Sequence, residues 1–195
     1  MKGREINVSN HNSKSELQVF LNGLDVACER ISKEYINFPV YSQNGTIYRE
    51  RVYCYELYHQ LRNALDQSFK YVISGEVDKR MHPVLSEESE DKVIPDFLVH
   101  VPATMDNLVV MEVKSPNAKI EGICKDIKTI RTFINKMNYN YGIILVYGQE
   151  EDVVKAFEEK LNIPLFNDDT NNKIILLWHQ IPNCRPIRYY DPVGI

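Results

Sequence analysis

Asp96, Glu112 and Lys114 carry charge in places where the surrounding pattern is apolar. Asp96 opens the run PDFLVHV, and Glu112 and Lys114 close the run LVVMEVK. Charged side chains at the end of an apolar strand are costly to bury without a task or a partner. Two-residue alternation puts Glu112 and Lys114 on one face of such a strand and Val113 on the other. Pro102 and the Asp106-Asn107 turn signal separate the two runs, which therefore read as an antiparallel hairpin. Counting outward from a turn near residues 104–105 pairs Asp96 with Glu112 or Val113. Two carboxylates facing each other across neighbouring strands repel unless a proton or cation lies between them. Magnesium, a hard ion that prefers oxygen ligands, suits that arrangement. A structural ion pair at a strand end is the plainer alternative for the same three residues.

The triplet Asp/Glu-x-Lys is not distinctive by itself, since it also begins at Glu90, Asp126 and Glu158. Setting singles out Glu112, because Pro95-Asp96, the only Pro-Asp pair in the chain, precedes it by one strand. Other signatures are missing. No Walker loop, GxGxxG turn, GxSxG elbow or HExxH pair is present, which argues against nucleotide hydrolysis, hydride transfer, serine hydrolysis and zinc proteolysis. The cysteines Cys28, Cys54, Cys124 and Cys184 lie far apart without metal-site spacing, so reduced thiols and no zinc are expected.

The elements that must position these groups follow from periodicity. A helical stripe of Leu17, Phe20, Leu21, Leu24, Ala27, Cys28 and Ile31 predicts a helix over 14–36, capped by Ser13 or Ser15. Asn44-Gly45 between FPVYS and TIYR predicts a hairpin. A second helix is expected from about Arg51 to Asp66, burying Cys54, Leu57, Tyr58, Leu61 and Leu65, with Glu56, His59, Gln60 and Asn63 on the adjoining face. Residues 69–78 read as a strand, and the acidic stretch SEESED at 86–91 as a solvated loop.

After the central hairpin, isoleucines 120, 123, 127, 130 and 134 predict a helix over 118–137. Its polar face carries Lys119, Lys125, Lys128, Arg131 and Lys136 against Glu121 and Asp126. YGIILVY (141–147) is a buried strand, 150–161 a short amphipathic helix, and KIILLWH (173–179) a last strand. From residue 51 onward the order is α-β-β-β-α-β-α-β, so a mixed α/β chain with a central sheet is expected. With no repeat or linker, residues 1–195 read as one domain: a core at about 50–147, an N-terminal helix and hairpin at 1–49, and an αβ extension at 148–195.

Pro95-Asp96, fifteen intervening residues and Glu112-Val113-Lys114 resemble the PD-(D/E)xK, or restriction-endonuclease-like, nuclease superfamily. The α-β-β-β-α-β order over about residues 50–147 resembles its common core. The resemblance implies metal-dependent hydrolysis of phosphodiester bonds, with DNA as the expected substrate and magnesium or manganese as the ion. Asp96 and Glu112 would be ligands, with the Val113 carbonyl, and Lys114 would orient the attacking water and offset charge on the phosphate. Glu56 matches the acidic residue that many members carry on the helix before the first core strand, and would hold a metal-bound water or a second ion. His59, one turn further, is an accessory candidate. Lys125 and Lys128 are candidates for phosphate contact. The runner-up is a catalytically inactive module of the same fold that binds nucleic acid or a protein partner.

The wider composition is compatible with this. Apolar residues make up 44% and charged residues 26%, enough for a core, and the net charge of −4 argues against coating nucleic acid through bulk charge. No apolar run approaches the ~18 residues of a membrane span. The polar N-terminus lacks a signal peptide's apolar stretch, so a cytoplasmic location is expected. The clustered tyrosines 41, 48, 53, 55 and 58 read as core and interface. A homodimer built on the 14–36 helix and the tail IPNCRPIRYYDPVGI, or a partner protein supplying specificity, is the expected assembly.

Overall fold

The structure, a computed structural model, describes residues 5–41, 45–75, 94–162 and 169–195. Helix α1 (Glu5–Glu29) and the short α2 (Lys33–Ile36) lead into a hairpin of β1 (Phe38–Val40) and β2 (Gly45–Ile47). Then come α3 (Glu50–Ala64), β3 (Val72–Gly75), β4 (Phe97–His100), β5 (Asn107–Lys114), α4 (Ile120–Lys136), β6 (Tyr139–Tyr147) and α5 (Asp152–Asn162). A 3-10 turn (Asp169–Lys173), β7 (Ile174–His179) and β8 (Ile187–Tyr190) complete the chain. The expected order from the second helix onward is therefore present, and β8 is an addition.

The strands from β3 to β8 form one six-stranded sheet in chain order. β3, β4 and β5 are antiparallel, β5, β6 and β7 are parallel, and β8 runs antiparallel at the far edge. Parallel neighbours need a crossover, and α4 and α5 supply the two. Alternation along the strands sorts the core into two layers. Val109, Met111, Val113, Ile143 and Leu145 face α1 and α3, where Leu17, Phe20, Leu24, Tyr53, Leu57 and Leu61 are fully buried. Val110, Ile144, Val146, Leu176 and Trp178 face α4 and α5, against Ile123, Ile127, Ile130, Phe133 and Phe157. At Gly142 the approach is so close that a Cβ would collide with Ile130 of α4.

Several expectations shift. The first helix begins at Glu5 and ends at Glu29, so Ser13 and Ser15 lie inside it and cap nothing. Its polar opening turns carry no apolar stripe, which hid them from periodicity. The i→i−3 bonds from Arg30 to Ala27 and from Ile31 to Cys28 tighten its end, and Ser32 turns extended before α2. On α3 the buried row is Tyr53, Leu57 and Leu61, whereas Tyr58 is exposed and Cys54 and Leu65 are half-buried. Ile120 of the isoleucine stripe is exposed because it only opens α4.

Asn44, residues 76–78 and the 86–91 stretch lie outside the described residues. Among the described residues no helix is long and apolar enough to cross a membrane. The two segments nominated for a subunit contact use much of their apolar surface within the chain. Leu17, Phe20, Leu21, Leu24, Ala27 and Cys28 of α1 are fully buried, and β8 pairs with β7.

Candidate active site

The central hairpin sets the site. Phe97 pairs with Met111 and Leu98 with Val110, and one further step outward puts Asp96 opposite Glu112. The Asp96 side chain accepts a hydrogen bond from the Val113 N–H at 2.7 Å, which fixes the carboxylate across the end of the ladder. In an antiparallel pair a residue's N–H and C=O face the same neighbour, so the Val113 carbonyl lies along the same edge as Asp96. Glu112 and Lys114 share the face that packs on α4, as the alternation requires. Glu112 is 5% exposed. All of this stands at the C-terminal ends of the parallel strands, since Lys114 is level with Val146 and Tyr147 with His179. Open α/β sheets present ligand crevices at that end.

Two residues outside the predicted set complete the cluster. Asp126 of α4, itself 5% exposed, places Oδ2 3.0 Å from Lys114 Nζ. Glu50, in the first turn of α3, places Oε1 3.6 Å from the same ammonium, and its Oε2 accepts the Ser115 N–H at 3.1 Å. Asp126 was legible in principle. It stands three residues after Ile123 and four before Ile130, inside the buried row, although its charge alone places it on the polar face. Glu50 lay one residue ahead of the expected helix start.

The remaining candidates have partners on their own helix or face solvent. Glu56 accepts a hydrogen bond from Gln60 at 2.7 Å, and His59 meets Asn63 at 3.1 Å, both one turn along their own helix. Glu50 and Glu56 lie six positions apart on the helix, about 9 Å along the axis and about 240° around it, so one helix does not aim both at one point. α3 thus brings Glu50 to Lys114, in the position expected for Glu56. Lys125 and Lys128 are exposed on α4, on the side away from the buried row that holds Asp126.

Electrostatics separate these carboxylates from surface acids. Burial, opposed by the Val113 N–H, pushes the Asp96 carboxyl above the ordinary range. Glu112 is pushed further up, by burial and then by the charges of Asp96 and Asp126, with a hydrogen bond to Asp96 acting in the same direction. Burial raises Asp126 to about 6, against the pull of Lys114. For Lys114 burial alone would act downward, but Asp126 and Glu50 outweigh it and hold the ammonium above the usual lysine range. Four carboxylates gather around one ammonium, so at neutral pH the cluster needs protons or a further cation.

The donors are all oxygens: two opposed carboxylates and a strand-end carbonyl. That set fits a hard divalent ion and lacks the sulfur and imidazole ligands zinc favours. Among the described residues no group of three or more His, Cys, Asp or Glu side chains is arranged to hold a metal ion. Asp96 and Glu112 would therefore need the Val113 carbonyl and water to complete a shell. Comparison with protein-family models, with curated proteins and with solved structures returned no match.

Proposed function

We propose that this chain is a metal-dependent nuclease of the PD-(D/E)xK type, hydrolysing phosphodiester bonds in nucleic acid, with DNA as the preferred substrate. One observation carries the reading. Asp96 is fastened to the Val113 N–H opposite a buried Glu112, with the Lys114 ammonium on the Glu112 face. The α-β-β-β-α-β order around this site supports a restriction-endonuclease-like core.

In this mechanism Asp96 and Glu112 would hold magnesium or manganese with the Val113 carbonyl, and Glu50 would take the part expected of Glu56. When bound, the ion supplies Lewis-acid charge at the scissile phosphate. Lys114 orients the attacking water and offsets negative charge as it develops on the phosphoryl oxygens. Asp96 and Glu112, both raised above the ordinary carboxyl range, would have to be ionised to serve as ligands, so ion binding would be coupled to proton release. Lys125 and Lys128 contact flanking phosphates.

A second reading follows from the ion pairs at Lys114, which also suit a catalytically inactive module that binds nucleic acid or a protein. A digestion panel decides between them. Labelled single- and double-stranded DNA and RNA are incubated with magnesium or manganese. Cleavage lost on adding chelator and in Asp96→Ala supports the nuclease, whereas binding without cleavage of any substrate supports the module.

A further inference from the structure

Lys114 is gripped from two sides of the sheet. Asp126 reaches it from α4 at 3.0 Å and Glu50 from the opposite layer at 3.6 Å, and only 16% of the lysine side chain is exposed. Asp126 occupies the row of α4 that otherwise holds Ile123, Ile127 and Ile130. An apolar residue would satisfy packing there, whereas a buried carboxylate needs a cation. Among the described residues its Oδ2 has no hydrogen bond apart from the ion pair with Lys114.

The pairing has a consequence for the neighbouring ligands. Lys114 shares a face with Glu112, and the Asp96 charge also acts on its ammonium and draws it toward the Asp96–Glu112 pair. An ammonium settled between those carboxylates would neutralise them and compete with a divalent ion. Asp126, 3.0 Å from the ammonium, gives the lysine a carboxylate partner of its own and so competes with the ligand pair for it.

We propose that Asp126 is a positioning residue that restrains Lys114, keeping its ammonium available to the phosphate and out of the Asp96–Glu112 ion site. The proposal rests on the nuclease reading for its effect on rate, but its effect on ion binding stands independently. The test compares the intact chain with Asp126→Asn, Asp126→Asn/Lys114→Met and Asp126→Ser, the last removing the charge with less bulk should the asparagine variant not fold. Manganese binding is measured calorimetrically without nucleic acid, and cleavage of labelled DNA is measured in parallel.

Asp126→Asn should bind manganese about 5- to 10-fold more weakly and lose about 10- to 100-fold in kcat with little change in KM. Adding Lys114→Met should restore manganese binding without restoring cleavage, because the competing ammonium is gone. Asp126→Ser should match Asp126→Asn. Wild-type manganese affinity in both single variants would overturn the proposal. So would binding that stays weak in the double variant, since Asp126 would then act through its own charge. If the intact chain binds manganese but cleaves nothing, the nuclease reading and the rate effect fall, and the double variant alone decides whether Asp126 restrains Lys114. No manganese binding by the intact chain overturns both.

Discussion

The two ends of β5 carry the same chemical groups in opposite circumstances. At its N-terminal end Asp106 meets Lys70 at 2.9 Å and the Tyr71 hydroxyl at 3.1 Å, with the charged side chains 41% and 44% exposed. One acid faces one base, and water screens both. At the C-terminal end Lys114 and Asp126 are 16% and 8% exposed, Glu50 lies 3.6 Å from the same ammonium, and the raised carboxyls of Asp96 and Glu112 stand close enough to feel its charge. Exposed pairs are worth at most about 1 kcal/mol, whereas breaking a buried pair by removing one partner costs about 3–5 kcal/mol. Stoichiometry teaches as much as burial does. A balanced exposed pair is a complete structural unit, while a buried surplus of carboxylates is an incomplete one that calls for a proton or a cation.

The largest effect expected from the C-terminal end is loss of cleavage in Asp96→Ala, by about a thousand-fold or more. The fold should survive, because relief of the repulsion with Glu112 offsets loss of the bond to the Val113 N–H. Labelled-substrate assays and thermal unfolding of the same preparation check both halves. A variant with full activity would remove the proposed ion site.

Parallel substitution of the two lysines sharpens the comparison. Lys114→Met should slow turnover by about a hundred-fold with substrate binding retained, and should destabilise the chain by roughly 3 kcal/mol because Asp126 is left buried without its cation. Lys70→Met should cost under about 1 kcal/mol and leave turnover unchanged. Denaturant unfolding compares the stabilities; equal costs at the two ends would erase the distinction.

A smaller effect concerns pH. Asp96, Glu112 and Asp126 hold protons more tightly in the folded chain than in the unfolded one. Their stabilising contribution is therefore complete below the unfolded carboxyl range, about pH 4, and declines as pH rises through the folded values, about 6 for Asp126. Without added metal, the unfolding midpoint should fall over that window, and millimolar magnesium should recover part of the loss above it. Lys70, raised by its bonds to Asp106 and Tyr71, adds no titration there. A midpoint that rises from pH 4 to 7 would contradict the buried surplus.

The smallest effect belongs to the exposed face of α4. Lys125→Ala and Lys128→Ala should each weaken DNA binding modestly and for all sequences alike, flattening the salt dependence by about one counterion apiece. Unchanged salt slopes in both would assign these lysines to ordinary solvation.

Local signals were enough for much of this molecule. Period-two alternation and the Pro102–Asn107 turn residues set the β4–β5 hairpin, and counting outward brings Asp96 opposite Glu112 or Val113, a one-residue choice that the ladder register settles for Glu112. The isoleucine repeat likewise located α4, because a buried face recurs at fixed steps along one helix. What sequence alone left open was every meeting between distant elements. The direction in which α3 is aimed decides whether Glu50 or Glu56 reaches the site, and only its packing on α1 and the sheet sets that rotation. Asp126 and Lys114 lie on different elements, and their ion pair exists because α4 docks on the face of β5 that bears Lys114. Whether the tail pairs with β7 or with another chain is likewise a matter of sheet edges rather than of its own residues. Periodicity is a property of one element and is written in the residues; the rotation and docking of elements minimise the energy of the whole chain, so they are decided only when it folds.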